Sequence, residues 1–194
     1  MAARVAVYDR IGAQYRRGRQ EDQRIAARIW AALSDASPVA NVGAGSGSYE
    51  PQDRRVVAVE PSAVMIAQRP QGAAPAVLAG AERLPFPDHS FDAAMAVITL
   101  HHWDDVDVGL RELRRVARRR VVVVTYDPAL ESDLWIARDY IGEHVIHTFS
   151  SLPPITQILE TFPEASVQPL LIPSDCTDRM FAADRKSTRL NSSH

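Results

Sequence analysis

The chain has 194 residues, 46% of them hydrophobic, and a formal net charge of −2; this length and composition suffice for one full hydrophobic core. The longest apolar run is far shorter than the roughly 20 residues of a membrane-spanning helix, and the N-terminus has no apolar stretch of the signal-peptide kind. We therefore expect a cytoplasmic protein without a membrane partner, and the weak negative charge argues against nucleic acid as a partner.

The first predicted elements are a helix and two strands. Residues 24–33 repeat apolar side chains at helical spacing, and residues 34–38 interrupt that pattern. Residues 38–42 indicate a buried parallel strand, and residues 55–59 indicate a second one. The glycine-rich turn between them, GAGSG at 43–47, is the most informative local feature of the chain.

This turn and the end of the second strand indicate a nucleoside site. Gly43, Gly45 and Gly47 allow the backbone to turn sharply while a ligand approaches it. Glu60 stands at the tip of the second strand, where an acid accepts hydrogen bonds from ribose hydroxyls in dinucleotide folds. A tight turn that binds no ligand is the alternative interpretation, because a short glycine pattern is weak evidence by itself.

The spacing of the glycines bears on the kind of nucleoside. The pattern here is G-x-G-x-G, whereas the dinucleotide fingerprint is G-x-G-x-x-G and binds a pyrophosphate at a helix N-terminus. An anion would meet the nearby carboxylate of Glu50, and the turn itself has no basic residue. The turn therefore favours a cationic nucleoside without phosphate.

Strands and helices alternate along the rest of the chain. Ser62 is the predicted N-cap of a short helix, and the arginines of residues 111–120 are predicted to form the solvated face and C-terminal end of a later helix. The predicted helices are 62–68 and 106–117, and the predicted strands are 76–79, 91–99 and 120–125. This alternation predicts one α/β domain with a parallel sheet and places the ligand outside the carboxyl ends of the strands.

A second motif, AGAERLPFPDHSFD at residues 79–92, is followed by AAMAVITLHHW. With the glycine turn it resembles the class I S-adenosylmethionine-dependent methyltransferases of the type 11 group, over roughly residues 8–180. The resemblance implies a Rossmann-like fold with a mostly parallel central sheet and helices on both faces. It also implies S-adenosylmethionine as cofactor and in-line methyl transfer to a small-molecule acceptor.

The resemblance assigns cofactor contacts to the glycine turn, the second strand and the second motif. They are Asn41, Gly43, Ala44, Gly45, Gly47, Glu60, Pro61, Met65, Gly80, Ala81, Glu82, Ile98, Thr99 and, from the N-terminal helix, Tyr15. Two positions depart from the family pattern. Family members commonly have an acid in place of Gly80 and an acid in place of Asn41, so both contacts are expected to be weakened.

Histidines follow the fourth predicted strand at the mouth of the cofactor site. His101 or His102 can accept a proton or position a substrate, since histidine titrates near neutrality; capping of the next helix or packing is the alternative role. His144 and His147 do not follow the H-E-x-x-H order of a zinc site, and no metal is expected. The single Cys176 cannot form an internal disulfide and is expected to be structural.

Two other functions compete with methyl transfer. One is a catalytically weak or inactive cofactor-binding regulatory protein, for which Asn41 and Gly80 are the reason. The other is an NAD(P)-dependent oxidoreductase, which the missing third glycine of the fingerprint disfavours. The acceptor, its reacting atom and the oligomeric state are not encoded in any motif of the chain.

The C-terminal residues 184–194 differ in composition from the rest. Lys186 is the first lysine of the chain, and this segment resembles a translated sequencing adapter; a disordered tail is the alternative. We therefore expect a single methyltransferase domain over residues 1–183, truncated at its C-terminal side. The resemblance implies that residues 166–172 form the sixth strand of the family's sheet. The antiparallel hairpin of strands six and seven would then lack strand seven, and the fifth strand would expose an apolar edge.

Overall fold

The computed structural model describes residues 20–128, 152–173 and 175–178. The helices are α1 (Gln23–Leu33), α2 (Ala63–Ala67), α3 (Val106–Val116) and α4 (Ile155–Thr161), the strands are β1 (Val39–Val42), β2 (Val56–Glu60), β3 (Ala76–Leu78), β4 (Phe91–Val97) and β5 (Ala117–Val124), and a 3-10 turn spans Leu100–His102. Helices lie between β2 and β3 and between β4 and β5, as the sequence predicts, but in this described part of the chain none separates β1 from β2 or β3 from β4. The described residues thus confirm the α/β class.

The strands form one five-stranded sheet in the order β3-β2-β1-β4-β5, with every neighbouring pair parallel. β1 lies in the middle, and Asn41 is in register with Ala58 of β2 and with Met95 of β4. The order of the strands reverses between β1 and β4, and in open α/β sheets ligands bind at such a point, in the crevice outside the carboxyl ends of the strands. The predicted site residues Gly43 and Ile98 directly follow these two strands.

Side chains of alternate residues in β1 and β4 face opposite sides of the sheet. On one side, Val39 and Met95 lie in a buried cluster with Leu33 of α1. On the other side, Ala40 and Ala94 belong to a second cluster, which contains residues of α3 and α4. Helices therefore cover both faces of the sheet, as predicted.

Capping side chains fix the beginnings of three helices. Asp22 accepts a hydrogen bond from the N–H of Arg24 at the start of α1, and Asp105 accepts one from Val108 at the start of α3. Ser62 accepts one from the N–H of Met65 over 3.2 Å, which confirms the predicted cap of α2. Each cap satisfies an amide that has no partner within its helix.

The arginine-rich segment differs from the prediction, because α3 ends at Val116 and β5 begins at Ala117. Arg118, Arg119 and Arg120 lie in the strand, not at the end of a helix. Arg118 Nε donates to Asp92 over 2.6 Å, and Arg119 forms an ion pair with Asp35. Since these acids come from distant positions, the residue pattern of 111–120 does not reveal them.

The predicted strand at residues 166–172 is wrong. Residues 165–173 have no regular secondary structure, and β5 is an edge of the sheet within the described residues. Pro169 lies in the middle of the segment and has no N–H to donate to a neighbouring strand, which disfavours pairing there. The side chains of Val167 and Leu171 are exposed.

Gly109 of α3 allows the helix to approach Trp103. A Cβ on this residue would overlap the indole ring, lying 2.6 Å from Cζ3. Gly109→Ala should therefore lower the free energy of unfolding by about 1–3 kcal/mol, the usual cost of overpacking, although alanine favours a helix by about 1 kcal/mol relative to glycine. Equilibrium denaturation measures the change, and an increase in stability would contradict this packing.

Within the described residues, no helix is long and apolar enough to cross a membrane.

Candidate functional site

The glycine turn lies against the end of β2. The N–H groups of Gly43 and Ala44 both donate to the carbonyl of Val59, over 2.9 and 3.0 Å. Gly43 has φ of +72°, a conformation that residues other than glycine rarely adopt. The turn is therefore bound to the second strand before any side chain contributes.

Glu60 connects this turn to the start of α2. One carboxylate oxygen accepts the N–H of Gly45 over 2.8 Å, and the other accepts the N–H of Ser62 over 2.9 Å. A carboxylate has about four acceptor positions, so each oxygen retains capacity for a hydroxyl of a ligand. Burial raises the pKa of Glu60, and the two amide donors oppose that shift.

Gly43 also brings the ends of β1 and β4 together. A Cβ on this residue would overlap the hydroxyl of Thr99 and would lie 2.8 Å from its Cβ and Cγ2. Thr99 is buried, and its neighbour Ile98 has φ of +50° while its N–H donates to Val124 of β5. Two predicted site positions from different motifs, Gly43 and Thr99, are thus in contact.

The residues after β2 form the side of the site next to Gly45. Met65 is buried, and its Cε lies 3.4 Å from the position of a Cβ on Gly45. Pro61 is exposed at the end of the strand, and Ala44 is buried within the turn. These placements agree with a nucleoside lying along the turn, while the role of each residue in binding stays a prediction.

Asn41 lies at the carboxyl end of β1, where its side-chain amide donates to Glu50 over 3.0 Å. Glu50 also pairs with Arg69, whose Nη2 lies 2.7 Å from a carboxylate oxygen. Although the turn contains no basic residue, a cation from beyond α2 reaches it. Sequence reasoning missed this cation because residue 69 is 19 positions from Glu50 and belongs to no motif.

The second motif forms a loop beside the turn. Ala81 is buried, and one carboxylate oxygen of Glu82 lies 2.9 Å from the position of a Cβ on Gly80. The other oxygen of Glu82 accepts the N–H of Asp104 over 2.8 Å. Glu82 therefore joins this loop to the segment before α3, and its carboxylate lies beside the position where a side chain is missing.

Two residues of α3 hold the Leu-Pro-Phe-Pro-Asp segment in place. Glu112 accepts the N–H of Leu84 over 2.8 Å. Arg115 donates to the carbonyls of Leu84 and Phe86 and pairs with Asp88. Helical spacing indicates that Glu112 and Arg115 can pair with each other, but nothing in the sequence indicates that they bind this loop.

The two candidate catalytic histidines lie in the 3-10 turn after β4. Their ring centroids are 3.7 Å apart with the planes inclined at 54°, and His102 is exposed whereas His101 is half-buried. The neighbouring Trp103 is buried against Gly109, in agreement with a packing role. A catalytic role for either histidine stays a prediction.

Other predicted residues lie away from the crevice or outside the described part. Tyr15, His144, His147 and residues 184–194 are outside the described residues. Cys176 is buried, and burial raises the pKa of its thiol. In the described residues no group of histidine, cysteine, aspartate or glutamate side chains could hold a metal ion.

Tyr49, which follows the glycine turn, forms hydrogen bonds with two remote segments of the chain. The sequence analysis did not predict these contacts. Its N–H donates to Glu21 over 2.7 Å, and its hydroxyl donates to Asp178 over 2.6 Å. Its carbonyl accepts the indole N–H of Trp30. Tyr49 is fully buried, so these contacts fix the residue that follows the glycine turn against distant parts of the chain.

The sequence of this chain is similar to a known methyltransferase family over the strands that carry the candidate site. Residues 40–125 match the model of a family described as a methyltransferase domain. The uncharacterised protein YafE of Escherichia coli is 37% identical over 60 residues, which is 29% of each chain. The ubiquinone/menaquinone biosynthesis C-methyltransferase UbiE of Hahella chejuensis is 37% identical over 79 residues, which is 40% of this chain and 29% of that protein.

Similarity among solved structures extends further along the chain than these sequence matches. A protein of Anabaena variabilis, described as a methyltransferase from an antibiotic biosynthesis pathway, superposes with a TM-score of 0.74 at 28% identity. That comparison covers 85% of this chain and 71% of the other. The curated relatives, in contrast, are matched over only 29% of their own lengths.

Proposed function

We propose that this protein is a class I S-adenosylmethionine-dependent methyltransferase that transfers a methyl group from S-adenosylmethionine to a small-molecule acceptor. The match of residues 40–125 to a methyltransferase-domain model and the similarity to a solved methyltransferase structure support this. The observation that carries the proposal is the carboxylate of Glu60, bound by the N–H groups of Gly45 and Ser62. Held in this way, it presents its remaining acceptor positions to a diol. A ribose supplies that diol.

The residues present fit the nucleoside of this cofactor. Gly43 has no side chain between the turn and Thr99, and Met65 offers an apolar, polarisable surface beside Gly45. Arg69 is paired with the buried Glu50, so its charge is neutralised beside the turn. This arrangement favours a ligand without a pyrophosphate and therefore disfavours NAD(P).

When bound, S-adenosylmethionine supplies an electrophilic methyl group on a sulfonium. The chain then has to hold the acceptor in line with that methyl group, and such positioning contributes roughly 7–11 kcal/mol in favourable cases. The exposed His102 lies after β4, beside the crevice. It can orient an acceptor or accept a proton from one that is weakly acidic.

The names of two similar proteins support a small-molecule acceptor. The Hahella protein is named for a step in quinone biosynthesis and the Anabaena protein for an antibiotic pathway. For this chain we propose the same class of acceptor, a small molecule, without naming a particular compound.

Calorimetric titration of S-adenosylmethionine, S-adenosylhomocysteine and NADH into the full chain tests the proposal. We expect one site for each of the two adenosyl compounds and no heat from NADH. A folded protein that binds NADH alone would favour the oxidoreductase. Tight binding of S-adenosylhomocysteine without methyl transfer to a panel of small molecules would favour a regulatory protein. Asn41 and Gly80, which lack the acids that are common in the family, are the reason to consider this alternative.

Binding should also depend on pH through Glu60. Burial raises the pKa of this carboxyl, and protonation removes acceptor positions for the ribose, so affinity should fall on acidification, beginning at a higher pH than for an ordinary glutamate. The effect on folding has the opposite sign. Because the pKa of Glu60 is higher in the folded than in the unfolded protein, the free energy of unfolding falls as the pH rises between these two pKa values. Titrations with S-adenosylhomocysteine at several pH values, limited to conditions in which circular dichroism shows an unchanged fold, measure the first effect. The Glu60→Gln variant should lack it.

A further inference from the structure

A buried ion pair lies under the glycine turn. The side chains of Arg69 and Glu50 are only 6% and 1% exposed. Arg69 Nη2 lies within 2.9 Å of both carboxylate oxygens and also donates to the carbonyl of Ala74, before β3. One guanidinium therefore joins the turn region to the segment that leads into the outermost strand.

The third glycine of the turn leaves room for this pair. A Cβ on Gly47 would lie 3.2 Å from Arg69 Nη1 and 3.4 Å from a carboxylate oxygen of Glu50. Arg69 Nη1 also lies 3.5 Å from the carbonyl oxygen of Gly45. Since the N–H of Gly45 donates to Glu60, side chains contact both polar groups of this residue.

Such a pair adds little net stability, because removing two charges from water costs about as much as their attraction returns. Its effect on shape is larger, since it fixes the distance between the turn, the end of β1 and the segment before β3. Asn41 completes the arrangement by donating to the same carboxylate over 3.0 Å. An aspartate at position 41 would instead place a second buried carboxylate beside Glu50, with one guanidinium to neutralise both.

We propose that Arg69 and Glu50 are positioning residues for the nucleoside, holding the glycine turn in its binding shape, and that Glu50 supplies the single carboxylate of this cluster in place of an acid at position 41. The inference rests on the proposed function for its binding readout. It predicts that a stable, binding protein has an acid at position 41 or at position 50, but not at both.

The first test exchanges the position of the acid. Asn41→Asp should lower the melting temperature and weaken S-adenosylhomocysteine binding by about tenfold, which is about 1.4 kcal/mol. Adding Glu50→Gln to that variant should restore both, because one carboxylate again faces Arg69. Higher affinity of a folded Asn41→Asp protein, or no restoration by the second change, would overturn the proposal.

The second test removes the pair without leaving an unpaired charge. Arg69→Gln combined with Glu50→Gln should retain a melting temperature close to that of the parent, since replacing both members of a buried pair is often neutral, yet should bind S-adenosylhomocysteine about tenfold more weakly. Asp53→Asn with Arg54→Gln is the matched control, because it neutralises an ion pair before β2 and should leave affinity unchanged. Equal affinity of the parent and the Arg69/Glu50 variant would refute the positioning role.

The melting temperatures separate failure of this inference from failure of the proposed function. If the parent protein binds neither adenosyl compound, the proposed function fails. In that case the melting temperatures of Asn41→Asp and of Asn41→Asp with Glu50→Gln still test whether only one of the two positions can be acidic. If the parent binds and the variants bind equally well, the positioning role alone fails.

Discussion

Replacement of Gly43 by alanine should lower the free energy of unfolding by roughly 2–5 kcal/mol, combining the cost of a left-handed conformation for an L-residue with that of overpacking. The new Cβ would lie 2.8 Å from two carbons of Thr99 and would overlap its hydroxyl. Thr99 is buried and cannot move away into solvent. Since a whole domain is stable by only about 5–15 kcal/mol, equilibrium denaturation should detect partial or complete loss of folding.

Two further variants separate the contributions to this loss. Gly72 also has a positive φ, of +88°, but a Cβ there would meet nothing within 4 Å, so Gly72→Ala should show only the conformational cost. Thr99→Gly combined with Gly43→Ala should recover part of the stability, because it removes all three overlapping atoms. Equal losses for Gly43→Ala and Gly72→Ala would show that contact with Thr99 contributes nothing.

Glu60→Gln should weaken binding of S-adenosylhomocysteine by about 1.5–3 kcal/mol, the range for a hydrogen bond to a charged group. The carboxamide can accept from only one of the two N–H donors, Gly45 or Ser62, and turns its own NH₂ toward the other. The turn and the start of α2 are then no longer joined by one acceptor, and the ribose loses a charged partner. Calorimetric titration of the folded variant measures the change.

Glu160→Gln is the matched control for this experiment. It makes the same chemical change on the exposed surface of α4, at a residue outside the crevice, and should leave affinity unaltered. If both variants bind as tightly as the parent, Glu60 is not part of the nucleoside site. If both weaken equally, the net charge of the protein explains the effect.

Local patterns predicted most of the sheet. Apolar runs gave β1 and β2 within one residue of their observed starts, and the helical repeat of residues 24–33 gave α1. The errors lie where a distant partner or a missing donor decides the structure. β5 begins earlier than predicted, where its arginines pair with Asp35 and Asp92, and Pro169 disfavours strand pairing in residues 166–172.

The site divides in the same way. Glu60, Gly43 and Thr99 were predicted from motifs, since their positions follow from where parallel strands end. Arg69 and Arg115 were missed, because each acts across an interval of 19 or more residues on a backbone that no motif describes. Motifs therefore named the candidate site residues, whereas the residues that support them became visible only in the folded structure.

The contact between Tyr49 and Asp178 has a consequence for synthesis of the protein. These residues are 129 positions apart, and chains are made from the N-terminus, so β1 to β5 are all synthesised before Asp178 is translated. Formation of such long-range contacts carries the largest loop-closure cost and is slow. The hydroxyl of Tyr49 therefore obtains this acceptor only after the sheet has been synthesised, which makes the anchoring of the residue after the glycine turn a late event of biosynthesis.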